Sequence, residues 1–451
     1  MSATATPDVT RSLARFAVEA QPADIPANVR HEAKRALLNW LGCAIGGCRH
    51  PAVDTALAAL AQFSGPAEAS VLGRSERFDC LHAALLNGIS SHVFDFDDTH
   101  HPTLIHPSGP VMAAALALAE KRPVTGEALI HAVVLGVDIE CRIGRAVFPA
   151  HYQAGWHITG TAGVFGAAAA AGLLLRLSEQ QMIWALGIAA TQASGLREMF
   201  GTMCKSLHPG RAAQNGLASA FLARAGFTSS ERAIEAPAGF AHVLSGDRDL
   251  ALAVDALGER FELMSNTYKP FACGLVVHPV IDGCLALRAE HSVQAAEIER
   301  IDLGVNPLVV ELTGKPSPAT GLEAKFSVYH SAAVAIVHGA AGEAQYVDAA
   351  VNDPAVMALR GKVRVEIVPD MAATQASIRI TLRDGRVLER QVVDATGSLQ
   401  NPMSDAQLAA KFSGLADGIL SETATRRLIE LCWSADRLAD AGSIARASVP
   451  R

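Results

Sequence analysis

From Ile158 to Leu175 the chain carries no charged residue, and this run restricts the available folds more than any other. Gly160, Gly163, Gly166 and Gly172 punctuate it, two threonines open it, and alanine fills most of the rest. Its length approaches that of a membrane span. So many glycines and alanines fit better in a helix enclosed on every side by other helices. The G-x-x-G-x-x-G spacing likewise suits close helix packing better than phosphate binding. No membrane span is expected, and a large helical shell must exist to bury the run.

Helical periodicity supplies that shell. Segments with apolar residues every three or four positions recur at Val29–Ala44, Ala52–Gln62, Cys80–Phe94, Pro110–Glu120, Glu127–Ile143, Met182–Ser194 and Arg211–Ala225. Gly and Pro mark the joins, and no strong strand alternation appears before about residue 265. Beyond residue 266 the character changes. Ile298–Leu303 and Leu308–Leu312 read as short strands, and Val363–Val368 alternates. Ser377–Leu382 and Val387–Val393 flank Asp384-Gly385, a strong hairpin signal. Helical segments His278–His291 and Val328–Ala341 lie between the strands. Three or four antiparallel strands packed on two helices are expected here. Helix returns after a Ser404/Gln407 capping box, over Asp405–Phe412 and Glu422–Leu431. The expected fold class is mainly α with a second, α+β domain. Residues 1–265 plus 400–451 form a discontinuous helical domain if the tail rejoins it, and residues 266–399 form the smaller α+β lid domain.

At 451 residues the chain exceeds one ordinary core, and with half its residues apolar and 18% charged, material for burial is ample. A formal net charge of −7 argues against general nucleic-acid binding, while leaving room for a locally basic pocket. The cysteines, Cys43, Cys48, Cys80, Cys141, Cys204, Cys273, Cys284 and Cys432, show no C-x-x-C spacing. Buried thiols in a reducing cytoplasm are expected, not disulfides or a zinc site. Met1 to Val9 has no apolar signal core.

Chemistry concentrates between His92 and Ser108, where Asp95, Asp97 and Asp98 stand among His92, His100, His101 and His106. Such groups are rarely buried unless paired or functional. Three readings are open. One is acid/base catalysis, with carboxylates fixing imidazole tautomers. Another is a metal-dependent hydrolase built on Asp95, Asp97, Asp98, His100 and His101. The third is a solvated polar loop.

Other segments add candidates. His157 stands at the entry to the uncharged run, where backbone N–H groups disfavour its protonation. Lys205 precedes a helix expected to begin near Pro209, with Arg211 in its first turn, a setting suited to a carboxylate. Lys269 lies at the proposed domain boundary, where ligand clefts are common. Lys325 to Tyr329 opens the later helix of the second domain. Taken singly, each has an ordinary reading as a structural histidine, a surface lysine or a helix cap. There is no G-x-G-x-x-G, no P-loop and no G-x-S-x-G elbow.

Together these segments resemble the MmgE/PrpD family. The motifs are D-F-D-D-T-H with H-P-S (Asp95 to Ser108), G-x-H-x-T-G-T-A-G (Gly155 to Gly163) and K-S-L-H-P-G-R-A-A-Q-N-G (Lys205 to Gly216). G-F-T (Gly226 to Thr228), Y-K-P-F-A-C-G (Tyr268 to Gly274) and A-K-F-S (Ala324 to Ser327) complete the set in family order. The resemblance implies a helical domain made from both chain ends, an α+β lid, a homodimer, and no metal or organic cofactor. It implies a site between the domains, with Asp95, Thr99, His106, His157, Lys205, Lys269 and Tyr329 on active-site positions. Family activities include dehydration of 2-methylcitrate, decarboxylation of cis-aconitate and epimerisation of iminodisuccinate.

Two departures from the decarboxylase branch stand out. The Asp95–His106 stretch is slightly longer here, and Gly274 stands where that branch carries a histidine, His278 being the next imidazole along. The expected reaction is proton abstraction next to a carboxylate of a small polycarboxylate, with dehydration first and epimerisation or decarboxylation as alternatives. Lys205, Lys269 and Arg211 would hold carboxylates, His157 and His106 would exchange the proton, and Asp95 would orient an imidazole. Thr99, His101 and His278 would contact substrate, and Tyr329 would join the catalytic set.

Overall fold

The computed structural model describes residues 7–450, so most of the polar stretch from Met1 to Val9 lies outside the described residues. The uncharged run forms the helix Ile158–Leu174, buried throughout from Ile158 to Gly172. Helices Ser108–Lys121, Gly126–Val147, Glu179–Ala190 and Cys204–Arg224 surround it. Its glycines sit where neighbouring segments press closest. A Cβ on Gly163 would come within 2.4 Å of Pro110 Cγ, and one on Gly160 within 2.3 Å of the Ser194 carbonyl oxygen. Packing at that distance leaves no room for a methyl group. No helix among the described residues is long and apolar enough to cross a membrane.

The helices read from periodicity are present, with ends moved by a few residues. One shift bears on function. The helix expected to start near Pro209 starts at Cys204 and runs to Arg224 with Pro209 inside it, which places Lys205 in the first turn. The Pro209-Gly210 pair also lets it cross the helix Cys80–His92 closely, since a Cβ on Gly88 would lie 2.5 Å from Gly210 Cα.

The end of the chain packs against its beginning. Leu408, Phe412, Leu428 and Ile444 share one hydrophobic core with Leu37, Trp40 and Leu41. The capping box of Ser404 and Gln407 opens the helix Asp405–Ala416, which lies along the helix Ala27–Gly47. All eight cysteines are free thiols, and all but Cys204 are buried.

Two short antiparallel ribbons interrupt the helices, where no strands were expected. β1 (Ala69–Ser70) pairs with β2 (Arg77–Phe78), and β3 (Thr99–His100) pairs with β4 (Asn266–Thr267). The larger sheet comprises β5 (Ile298–Val305), β6 (Val363–Ile367), β7 (Ala376–Leu382) and β8 (Val387–Val392), in the order β6-β5-β7-β8. Asp384-Gly385 turns β7 into β8, with Gly385 at φ 89°. The helix His278–His291 packs on β7 and β8 and on the helix Val328–His338.

Two expectations are corrected here. The sheet is mixed, because β5 and β6 run parallel with Ile301 opposite Val363, and the long helical connection between them permits that crossover. Leu308–Leu312 is not a strand. Asn306 caps Leu308 N–H and Pro307 occupies the first helical position, so the segment forms the helix Pro307–Thr313.

Candidate active site

The helix Cys80–His92 delivers His92, and the chain then turns through Asp95 at φ 52°, a left-handed conformation that a short acidic residue tolerates. β3 pairs with β4, Thr99 opposite Thr267, and the Thr267 hydroxyl donates to the Thr99 carbonyl at 2.8 Å. This ribbon brings Lys269, two residues past β4, to Asp95. Lys269 Nζ donates to Asp95 Oδ1 at 2.8 Å and to the Asp95 carbonyl at 2.9 Å. Lys205 donates to the same Oδ1 at 2.9 Å. All three residues are buried.

Two ammonium groups on one carboxylate leave a positive charge in excess. Holding such a charge away from water is costly, and an anionic ligand offsets it. Burial alone would raise the Asp95 carboxyl, but Lys205 and Lys269 hold it well below the usual carboxylate range. Burial lowers the Lys205 ammonium, against the pull of Asp95. Phe200 and Phe326 stack at 5.6 Å and hold their ring centroids 5.3 and 5.5 Å from Lys205 Nζ, a cation–π setting that also keeps water out.

The imidazoles are ordered by what they face. His92 Nε2 accepts from Lys205 Nζ at 3.0 Å, so its proton sits on Nδ1, which donates to Asp97 Oδ2 at 2.8 Å. Burial pushes His92 down to about 4 despite Asp97. His106 Nδ1 donates to the Asp98 carbonyl at 2.8 Å, which leaves Nε2 free, 3.9 Å from Asp95 Oδ1. His157 caps the central helix by position, and its Nδ1 lies 2.8 Å from His208 Nδ1. One nitrogen must donate and the other accept, so the pair is stable with both rings neutral. Burial first and Lys205 second hold His157 well below its ordinary range and His208 at about 4. The backbone N–H of His157 donates to the Gly195 carbonyl at 2.9 Å. His208 is seated against Gly160 and Gly195, at each of which a Cβ would approach it to 3.2 Å.

Asp95, Thr99, His106, His157, Lys205 and Lys269 line one cavity, walled on the other side by Gly274, Leu275, Val276, Leu312, Thr313 and Phe326. Other candidates lie elsewhere. Arg211 is exposed and donates to Gln214 at 2.6 Å; six residues beyond Lys205, it sits about 240° further round the helix. Tyr329 is half-buried against the core of the second region and does not line the cavity. His278 is fully buried with its ring 5.3 Å from that of Phe271, and neither ring nitrogen has a hydrogen-bond partner among the described residues. Burial, then Lys269, lower it to about 3. His101 is exposed and borders a neighbouring space instead.

Of the residues proposed for a metal hydrolase, only Asp95 and Asp97 gather. His100 turns away, its Nδ1 2.7 Å from Thr103 Oγ1 and its Nε2 3.2 Å from Glu262 Oε2. Asp98 accepts from Ser108 Oγ at 2.6 Å and Asn266 Nδ2 at 2.5 Å. The donor atoms that do gather, within 4.8 Å, belong to His92, Asp95, Asp97 and His106, and to His157 with two of these histidines. There Lys205 already donates to both His92 and Asp95, so a cation would have to displace an ammonium.

His92 stands in the Asp–His cluster read from the sequence but was given no role of its own there, and neither His208 nor Lys411 was among the expected site residues. His208 had a signal, since it stands three residues after Lys205, one helical turn on. Lys411 had none nearby. From the helix Asp405–Ala416 its Nζ donates to Asn39 Oδ1 at 2.7 Å, the Phe96 carbonyl at 2.6 Å and the Lys269 carbonyl at 2.8 Å. It thereby ties together the two segments that carry Asp95 and Lys269.

The fold and this cavity define a class. Residues 11–253 match the MmgE/PrpD N-terminal domain and residues 271–435 the MmgE/PrpD C-terminal domain. The chain belongs to the MmgE/PrpD family of enzymes. It is similar to the cis-aconitate decarboxylase of Homo sapiens, with 28% identity over 428 residues, covering 91% of this chain and 88% of that protein. It is also similar to the cis-aconitate decarboxylase of Aspergillus terreus strain NIH 2624, with 27% identity over 464 residues, covering 96% and 94%.

Proposed function

We propose that the protein is a lyase that removes a proton from the carbon next to a carboxylate of a small di- or tricarboxylate, and that it acts as a hydro-lyase. The observation that carries this reading is the pair of ammonium groups on one Asp95 oxygen, facing the same cavity as His106 and His157. A substrate carboxylate enters beside Lys205 and Lys269 and takes up the excess charge. As the neighbouring C–H proton passes to one imidazole, its electron pair spreads into that carboxylate, and the two lysines stabilise the charge as it grows. The pair then forms the carbon–carbon double bond while the β-hydroxyl leaves with its bonding electrons and takes a proton from the other imidazole. The free His106 Nε2 suits the base. His157 suits the acid when its Nδ1 accepts from His208, because its remaining proton is then on Nε2.

Decarboxylation is the second reading, favoured by the names of the relatives. Against it, Gly274 borders the cavity at the position where the resemblance to the decarboxylase branch calls for a histidine. Proton NMR and carbon dioxide release with 2-methylcitrate, citrate, cis-aconitate and iminodisuccinate separate the two. Dehydration without gas release, read as a vinyl signal from citrate or as the methyl doublet of 2-methylcitrate collapsing to a downfield singlet, supports the hydro-lyase. Gas from cis-aconitate transfers the assignment to decarboxylation, and inertness toward all four acids overturns both.

A further inference from the structure

A second space lies beside the catalytic cavity, bordered by Leu104, Phe148, Leu275, Val276, Pro279 and Leu308. Leu104, Leu275 and Val276 also border the catalytic cavity, so the two spaces share a wall. The helix Pro307–Thr313 runs along both, with Leu308 facing the second space and Leu312, one turn on, facing the first. The shared wall is made largely of leucine side chains. Leu104 and Leu275 are both half-buried, and Leu104 is held at φ 62° with its N–H donating to the His100 carbonyl at 2.9 Å. That conformation is uncommon for a branched side chain. The two spaces differ in charge. The catalytic cavity contains two lysines, whereas among the described residues no Lys, Arg, Asp or Glu borders the second space, whose polar groups are the His101 ring and hydroxyls such as those of Thr374 and Thr396.

We propose that the second space is a substrate subsite for an uncharged alkyl substituent, carried by the acid whose carboxylate is held at Lys205 and Lys269. The inference rests on the function proposed above. Charge and continuity select this occupant. A carboxylate placed in the second space would lose its hydration without meeting a cation, whereas a methylene chain would lose only contact with water. A substituent leaving the reacting end of the acid reaches the second space by displacing the half-buried side chains of Leu104 and Leu275, which border both spaces.

Calorimetric titration with 2-methyl-, 2-propyl- and 2-pentylsuccinate, on the full chain, tests the subsite. Each methylene buried should tighten binding by about threefold, somewhat below the full transfer of a CH₂ group. Leu308→Trp, which fills the second space from outside the catalytic set, should abolish the gain along the series and leave the methylsuccinate affinity unchanged. The wild-type series stands without the variant if Leu308→Trp folds poorly. Affinity that is flat or falls from methyl to pentyl overturns the subsite, as does an undiminished gain in folded Leu308→Trp. Failure of methylsuccinate itself to bind contradicts the carboxylate site, and the subsite falls with it.

Discussion

His157 and His208 face each other through their Nδ1 atoms at 2.8 Å, a contact that holds a single proton. The tautomer of His208 therefore sets the tautomer of His157, and with it whether His157 Nε2 gives or takes a proton. His208→Ala should lower kcat by about ten- to a hundredfold, on the scale of a lost acid–base contribution, with a smaller change in KM. The pH dependence of kcat should change, because His157 loses the partner that fixes its tautomer and gains access to water. His208→Gln, whose amide can still meet Nδ1, should recover part of the rate. An unchanged pH profile in His208→Ala would contradict the pairing role.

Lys205 and Lys269 do not act as spare copies of one charge. Both donate to the same Asp95 oxygen, so removing either one leaves the other fully paired with that carboxylate and less able to meet a substrate anion. Lys205→Met should therefore reduce kcat/KM by at least about a hundredfold, the scale of a lost electrostatic contact to the transition state. It should also raise KM. Steady-state kinetics on the responding acid would measure both, and a variant with normal KM would argue that the carboxylate binds elsewhere.

Lys411 gives its three N–H groups to Asn39, Phe96 and Lys269. Lys411→Met strands three buried acceptors and releases the segments that carry Asp95 and Lys269. A loss of at least about 2 kcal/mol in unfolding free energy is expected, along with a fall in kcat exceeding what the lowered folded fraction explains. Chemical denaturation and kinetics on the same sample separate these effects.

Glu140 lies fully buried in the helix Gly126–Val147, and neither carboxyl oxygen meets a hydrogen-bonding partner among the described residues. Burial first, and Asp98 second, push its carboxyl well above the ordinary 4.5. The folded protein thus keeps this proton to higher pH than the unfolded chain does. Its contribution to stability is complete below pH 4.5 and is lost as pH rises toward the folded-state value, by about 1.4 kcal/mol per unit. Glu140→Gln removes that loss. The variant should gain stability relative to the natural chain between pH 5 and pH 8, as read by urea unfolding at each pH. The opposite trend would mean that Glu140 is ionised in the folded state.

Much of this was legible in the sequence, for identifiable reasons. The helices around Ile158–Leu174 declare themselves because periodicity and glycine placement are local properties. Asp384-Gly385 likewise announces the turn between β7 and β8. The parallel pairing of β5 with β6 depends on contacts far apart in sequence, and local alternation cannot reveal it. Leu308–Leu312 misled because a short apolar run fits either strand or helix, and Asn306-Pro307 was the deciding detail. At the site, Asp95, Lys205 and Lys269 were visible as types and motifs. That the two lysines share one oxygen is set by the β3–β4 ribbon, whose two-residue strands are too short to be seen in advance. Arg211 failed for a geometric reason, since misplacing the helix start at Pro209 also misplaced the face that Arg211 occupies.

The most direct test of the account is deuterium exchange by proton NMR, in D₂O, on enzyme treated with a chelator and offered the acids named above. The account predicts deuterium entering the position next to a carboxylate, with the exchange lost in both Lys205→Met and His106→Gln. Exchange absent with every acid, and restored only on adding a divalent ion, would contradict it and return the Asp–His cluster to metal chemistry.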